Sequence, residues 1–365
     1  MNEIYTKKRA VSKNVFNDLM KQTNRGFMTY NEDYKRKLCH NVVSFDISSS
    51  YPSQFIKGND FPIGHITYKT DCNWNDLIEL IKNDKWFLAV FSSTEQYNGI
   101  LSYEKIDDRY WYFVNKYDYK CLKLFGKKLK DFDFYLERLL ICDEEGYLND
   151  NFRKKLHECY LEKEQSEGGK RYQLKTEIDT LYGKGIQERN INEINPLIYY
   201  GHKEHYICPQ FSFHALSRAR YELISILTQT DLDLWINSDT DCIKTMDRKI
   251  YSIIEKRNKE IIEENRCAGF DSNCGIWKFE GEYDNFIQYC NKVYAYSYQE
   301  EIHCTFAGCL KTAWMDYFKD KSIEESIEIL NGDFVIPKGR KVLLRKDNLC
   351  IYNYEDWKIN EEEEL

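Results

Sequence analysis

The stretch that most constrains this chain is Val42-Val43-Ser44-Phe45-Asp46-Ile47-Ser48-Ser49-Ser50-Tyr51-Pro52-Ser53. Its apolar head reads as a buried strand over Val42 to Phe45. The strand ends on Asp46, and a serine-rich turn leads into a short helix from Pro52. A carboxylate at the end of a buried strand is costly unless it binds a cation or a proton. Pro52 stiffens the backbone beside Tyr51, five residues after the acid. An acid after a strand also serves as a turn former or a helix cap, so the stretch needs partners elsewhere in the chain to read as a site.

One partner lies far downstream. Leu232 to Asn237 alternates as a strand, Ser238-Asp239-Thr240-Asp241 makes a tight turn, and Cys242-Ile243-Lys244-Thr245 returns. This is a β-hairpin with two carboxylates at its tip. Acids so close repel unless a cation sits between them, although acidic hairpin turns are common in themselves. A strand delivering one Asp, with an aromatic close behind, suits metal-dependent phosphoryl transfer.

At 365 residues the chain exceeds one ordinary core, so two or three subdomains are expected. The net charge of -8 and the lack of a long basic tract mean that nucleic-acid contact would need a local positive surface. The 13 cysteines show no Cys-x-x-Cys pair and read as reduced, intracellular thiols. Cys304 and Cys309 near His303 form a partial metal set, but buried core thiols are the favoured reading. No signal peptide and no apolar run long enough for a membrane is present, so a cytoplasmic protein without membrane contact is expected.

The remaining elements follow in order. Residues 1 to 40 read as a lead-in helix, a turn and a short strand pair. Residues 60 to 70 look extended, and 74 to 84 helical with Leu77, Leu80 and Ile81 on one face. Strands are expected at Trp86 to Phe91 and Leu136 to Cys142, around a β-containing insertion at 99 to 125. Two helices, Asn151 to Gln165 and Lys170 to Leu181, turn back on each other at Gly168-Gly169. Lys163 and Lys175 flank that turn symmetrically and should face each other, and Lys175, Asp179 and Tyr182 share a helix face beside a Leu174, Ile178, Leu181 stripe. Two converging ammonium groups suit a triphosphate clamp. After a loop at 184 to 209, Phe211 to Thr228 is a strong helix on which Arg218 and Arg220 ride. Further expectations are a helix at Lys249 to Glu264, a strand at Gly275 to Glu280, a helix at Tyr283 to Tyr289 and a strand at Lys292 to Tyr296. A helix at 306 to 320, short strands within 333 to 353 and a solvated acidic tail, Glu361 to Glu364, complete the chain.

Taken together, four segments resemble the polymerase portion of family B DNA polymerases, most closely the protein-primed phage kind. Asp46-Ile47-Ser48-Ser49-Ser50-Tyr51-Pro52-Ser53 resembles motif A, and Lys175 to Gly183 resembles motif B. Asp239-Thr240-Asp241 resembles motif C, and Lys292-Val293-Tyr294 the primer-gripping Lys-x-Tyr element. The likeness runs from about residue 20 to 355. It implies an α+β right-hand fold: an N-terminal lead-in segment at 1–40, a palm at 41–147 and 184–300 built on an antiparallel sheet, helical-hairpin fingers at 148–183, and a thumb with the acidic tail at 301–365.

The resemblance implies a template-directed DNA polymerase that adds deoxynucleotides to a primer 3′-hydroxyl. Asp46 and Asp241 would hold two magnesium ions, with manganese an alternative, helped by the Ile47 carbonyl and with Asp239 as an outer ligand. Lys163 and Lys175 would clamp the triphosphate, Tyr51 would exclude a ribose 2′-hydroxyl, Asp179 would join the nucleotide site and Tyr182 would pack near the nascent base pair. Lys292 and Tyr294 would hold the primer, and Thr240, Arg25 and Gly26 would contact DNA. The implied partners are primer-template DNA, deoxynucleoside triphosphates, and a priming terminal protein or a separate exonuclease, in a bacterial host of a phage or mobile element. This chain departs from the family at Asp179, where Asn is usual, and at Asn237 and Cys242, where Tyr and Ser are usual. Motif A begins at residue 46, so the family's 3′–5′ exonuclease domain is expected to be absent, and the stretch between motifs B and C looks short. The same carboxylates would serve a primer-independent or terminal-transferase relative. The rival from another class is a non-catalytic DNA-binding replisome protein. Buried acids kept without a cation would destabilise that alternative.

Overall fold

The computed structural model describes residues 27–97, 101, 103–185, 209–306, 317–331, 335–336, 340–345, 348–353 and 357–358. Arg25, Gly26, the 186–208 part of the expected loop, most of the expected 306–320 helix, Cys309 and the acidic tail lie outside these residues. The fold is a mixed α+β arrangement with antiparallel sheets, in two compact units.

The first unit takes in Ile47–Gln229 and Tyr251–Trp277. It opens with helix α1 (Ser50–Lys57), whose N-cap Ser49 sits in the left-handed region at φ 54. Short strand β3 (Phe61–Pro62) follows and pairs with β9 (Glu145–Gly146). A five-stranded sheet then orders β4 (Ile66–Lys69), β8 (Tyr135–Cys142), β5 (Phe87–Ser93), β7 (Arg109–Asn115) and β6 (Tyr103–Ile106). Every residue of β5 is buried, as expected of a continuous apolar run at a sheet centre. Helices α2 (Trp74–Lys82) and α3 (Lys116–Leu124) flank its strands, each started by a capping box, Asn73 with Asp76 and Asn115 with Asp118. The 99 to 125 region is therefore β-rich as expected, but ends in a helix.

Helices α4 (Asp150–Gln165) and α5 (Gly168–Gly185) form the expected hairpin, with Gly168 at φ 55, where glycine carries no Cβ penalty. Helix α6 (Pro209–Leu227) and helix α7 (Ile250–Cys267) complete the unit. Phe55, Ile56, Phe61, Phe152, Leu156, Tyr160, Ile178 and Phe211 form one buried cluster that seats α1 among α4, α5 and α6. On α6, Arg220 is 3% exposed and pairs with Asp118, while Arg218 pairs with Asp60.

The second unit takes in Met28–Asp46, Thr230–Ile250 and Lys278–Leu365. Its centre is a seven-stranded sheet, ordered β1 (Phe27–Tyr30), β10 (Trp235–Thr240), β11 (Cys242–Thr245), β2 (Leu38–Ile47), β12 (Trp277–Cys290), β13 (Val293–Tyr298) and β14 (Glu301–Phe306). Two expectations fail here. The segment Tyr283 to Tyr289 is the second half of β12, not a helix. Its i, i+3, i+4 apolar spacing imitates a helix, but pairing of Asn285 to Gln288 with Ser297 to Tyr294 wins. Leu232 to Leu234 is a single 3-10 turn capped by Asp231, so the strand begins only at Trp235. Helix α8 (Ile323–Asn331) precedes a small hairpin, β16 (Arg340–Arg345) and β17 (Asn348–Asn353), and the short strands β15 (Val335–Ile336) and β18 (Trp357–Lys358) pair with each other.

Candidate active site

The two acidic motifs, almost two hundred residues apart, meet in the second unit. Cys242 pairs with Asp239 across the β10–β11 hairpin and with Asp46 on the neighbouring β2. Directly opposed residues of a ladder point to the same side of the sheet. Asp239, Cys242 and Asp46 therefore form one cross-strand row, with Asp241 in the turn beside it. Asp46, Asp239 and Asp241 are all half-buried. Two strand spacings put the Asp46 and Asp239 backbones roughly 9–10 Å apart. Consistently, no three or more His, Cys, Asp or Glu side chains converge as a metal cage among the described residues.

The turns are held in unusual conformations. Thr240 has φ 64 and Lys292 φ 60, both left-handed for residues with side chains. The Thr240 hydroxyl donates to Asp239 Oδ1 at 3.1 Å, and Lys292 Nζ stands 3.9 Å from that oxygen. Lys292 thus occupies the β12–β13 turn while reaching the acidic hairpin.

Beneath the row lies a buried polar layer that the sequence did not reveal. Lys244, two residues along from Cys242 and on its side of the sheet, is 3% exposed. Its Nζ lies 2.9 Å from Cys242 Sγ and 4.7 Å from the Tyr294 ring centroid. Ser44, opposite Lys244, donates to Glu280 Oε2 at 2.9 Å. Burial pushes the Cys242 thiol up to about 11, so it is a neutral thiol at neutral pH. Asn237, at the position where the resemblance expects Tyr, is buried and donates to Gln288 Oε1 at 3.0 Å.

The other sequence-selected residues lie in the first unit, which also receives Ile47 at the end of β2. Ser48 N–H donates to the Ile276 carbonyl, and the Ser48 carbonyl accepts from Gly275 N–H, which pins the turn after Asp46. Gly275 has φ 84, and a Cβ there would meet Ser53 at 2.6 Å, so only glycine fits the approach. Tyr51 is half-buried in the first turn of α1.

Lys163 and Lys175 have different surroundings. Lys163 is 6% exposed, donates to Ser49 Oγ at 2.6 Å, lies 3.3 Å from Glu164 and sits over the Tyr160 ring. Lys175 is exposed. Asp179 is half-buried, and burial raises its carboxyl above the usual range against the pull of Lys175 and Lys163. The acid at the family's Asn position is thus electrostatically linked to both lysines. Helix α5 includes Tyr182, whose side chain lies outside the described set.

A charged hub centres on Asp60. Asp60 accepts from the Tyr117 hydroxyl at 2.6 Å, faces His214 Nε2 at 3.1 Å and Lys116 Nζ at 3.4 Å, and pairs with Arg218. Arg218 Nε also donates to Gln54 on α1 at 3.2 Å. Burial holds His214 below its usual range, so it meets Asp60 as a neutral ring while Arg218 and Lys116 supply the positive charge. Nothing in the local sequence at residue 60 signals this hub, because all its partners are distant in the chain.

Comparison with solved structures now bears on this arrangement. In fold, the chain is similar to phi29 DNA polymerase. The structure of that polymerase with primer-template DNA and incoming nucleotide matches with TM-score 0.66 and 14% identity, over 99% of this chain and 65% of that one. Its complex with single-stranded DNA gives the same values, and an orthorhombic crystal form gives 0.63 at 15% identity with the same coverage. The chain therefore spans about 65% of the length of that polymerase. No protein-family model and no curated protein matches the sequence. No helix among the described residues is long and apolar enough to cross a membrane.

Proposed function

We propose that this chain is a template-directed DNA polymerase that extends a primer 3′-hydroxyl with deoxynucleotides. The carrying observation is the cross-strand row: Asp46 on β2 and Asp239 on β10 flank Cys242 on the strand between them, with Asp241 in the turn and Lys292 beside Asp239. Similarity of fold to a polymerase solved with primer-template DNA and nucleotides supports the same reading.

The donor set fits magnesium or manganese. These hard ions take carboxylate oxygens, and magnesium is commonly held by one or two carboxylates, with substrate phosphates and water filling the remaining positions. Asp46 and Asp241 would hold the ions, with the Ile47 carbonyl assisting and Asp239, already engaged by Thr240 and Lys292, outside them. When bound, such ions lower the pKa of the attacking hydroxyl and neutralise the leaving pyrophosphate. Lys292 and Tyr294 hold the primer, with Thr240, Arg25 and Gly26 as further DNA contacts. Lys163 and Lys175 bind the triphosphate, Asp179 moderates their charge, Tyr51 screens the sugar and Tyr182 serves the nascent base pair.

In this reading, residues 41–147 and 184–300 form the palm, 148–183 the fingers and 301–365 the thumb, after the lead-in segment at 1–40. The protein works in a host cytoplasm, with a priming terminal protein or a separate exonuclease as partner. These 365 residues would themselves not proofread. The test is incorporation of labelled deoxynucleotides on a template, with and without primer, in magnesium. Primer-dependent, template-matched addition is expected. Equal addition without primer would assign the chain to a primer-independent or terminal-transferase activity instead.

A further inference from the structure

The alternation of β13 separates two faces. Val293, Ala295 and Ser297 are buried, and the first two join Ile287, Tyr289, Cys304, Phe318 and Leu330 in one cluster. Tyr294, Tyr296 and Tyr298 alternate with them and stay half-exposed. Of these only Tyr294 has a role so far, in the primer grip. We propose that Tyr294, Tyr296 and Tyr298 form a track that hydrogen-bonds the sugar–phosphate backbone of the primer strand over successive linkages behind its 3′ end. This rests on the polymerase reading and extends it to Tyr296 and Tyr298.

Three features of the fold carry the assignment. The first is continuity. Lys292 heads the track and reaches Asp239, and Tyr294 covers the buried Lys244 ammonium, so the row begins at the carboxylates and at positive charge. At its far end Tyr298 is directly opposed by exposed Glu301, with exposed Glu300 in the turn, so acidic charge closes the track at Tyr298.

The second is ring packing. Tyr296 is stacked on His303 at 5.1 Å, lies 4.1 Å from Tyr283 and 6.2 Å from Tyr294 by centroid. A ring hemmed in this way, and packed partly against the buried cluster of Cys39, Val42, Ile236, Tyr283 and Phe286, has no face on which a base could stack. That favours backbone contact, which positions a strand without reading its sequence. Burial pushes the Tyr296 hydroxyl up to about 12, so it remains a donor at any working pH. Glycine inside a strand normally weakens it. Gly281 on β12 makes room for this packing, since a Cβ there would lie 3.2 Å from the Tyr283 ring and 3.3 Å from that of Tyr298.

The third is spacing. Alternate residues of a strand advance ~6.6 Å, which is close to the interval between successive phosphates of a nucleic-acid strand. Side chains on one face of β13 can therefore meet consecutive linkages.

The experiment measures binding of fluorescent primer-template to the full chain by anisotropy, at fixed salt and without nucleotide. Wild type is compared with Tyr296→Phe, Tyr298→Phe and the double variant. Each is tested on native DNA and on a primer with neutral methylphosphonates at the second and third linkages from its 3′ end. Phenylalanine keeps the ring stacking, and thermal melting checks the fold. The double variant should bind native primer-template about tenfold more weakly, and wild type should lose about tenfold on the neutralised primer. The double variant should lose almost nothing further. If the double variant binds native DNA within twofold of wild type, or loses as much as wild type on neutralisation, the track is refuted. That leaves the polymerase reading standing wherever wild type still extends the native primer. If wild type neither binds nor extends it, both fall.

Discussion

Replacing Asp60 with Asn would test the structural frame that holds the Tyr51 helix. The half-buried carboxylate lies against the half-buried Arg218 guanidinium, with the Tyr117 hydroxyl, neutral His214 and Lys116 around it. It lies well below the usual carboxylate range: burial would raise it, but the surrounding donors and cations overcome that. Removing one partner of a buried pair typically costs about 3–5 kcal/mol, because the other charge stays buried. Lys116 keeps Glu145 and Asp84, each at 3.3 Å, so Arg218 suffers most. The lower end, about 3 kcal/mol, is therefore expected, equivalent to a Tm fall of roughly 4 °C for a chain of 365 residues.

The sign of the pH dependence follows from the depressed carboxyl. Its stabilisation is full above the unfolded carboxylate range near ~4 and is lost as pH falls below it. The difference between wild type and Asp60→Asn should thus shrink in acid. Thermal melts from pH 7 to pH 3 measure this, with Asp84→Asn as an exposed control expected to move Tm little. A shift under 2 °C at pH 7, or a gap that widens in acid, would refute the reasoning.

Three further outcomes are expected. Tyr51→Val should raise the ratio of ribonucleotide to deoxynucleotide incorporation by orders of magnitude, measured in single-nucleotide extension, and an unchanged ratio would place the sugar gate elsewhere. Asp179→Asn should lower the apparent KM for nucleotides, since it relieves Lys175 and Lys163 of a neighbouring carboxylate, and a higher KM would show that Asp179 makes a needed contact. With a 5′-labelled mismatched primer, magnesium and no nucleotide, these 365 residues should yield no shortened products, and a ladder absent from Asp46→Ala would place hydrolysis in the carboxylate row itself.

Local pattern carried much of the fold. The buried strand before Asp46, the acidic hairpin, the helical hairpin at Gly168 and the central β5 were readable because apolar period and turn chemistry agree there. Tyr283 to Tyr289 was not, because its apolar spacing fits a helix and only pairing with β13 decides otherwise. Buried cations were the least legible. Arg218, Arg220 and Lys244 look like surface residues in sequence, and their partners lie on other elements. The same limit applies to Lys163, whose bond to Ser49 spans more than a hundred residues. Motif spacing nominated the carboxylates, whereas only strand register shows Asp46 and Asp239 on either side of Cys242.

The central claim is that this carboxylate row performs metal-dependent nucleotide addition, and primer extension by Asp241→Ala tests it most directly. The variant should melt at or above the wild-type temperature, because removing one of several neighbouring acids relieves repulsion. In saturating magnesium and deoxynucleotides it should add no nucleotide to a primer that wild type extends. Ample magnesium-dependent extension by the folded variant would contradict the account.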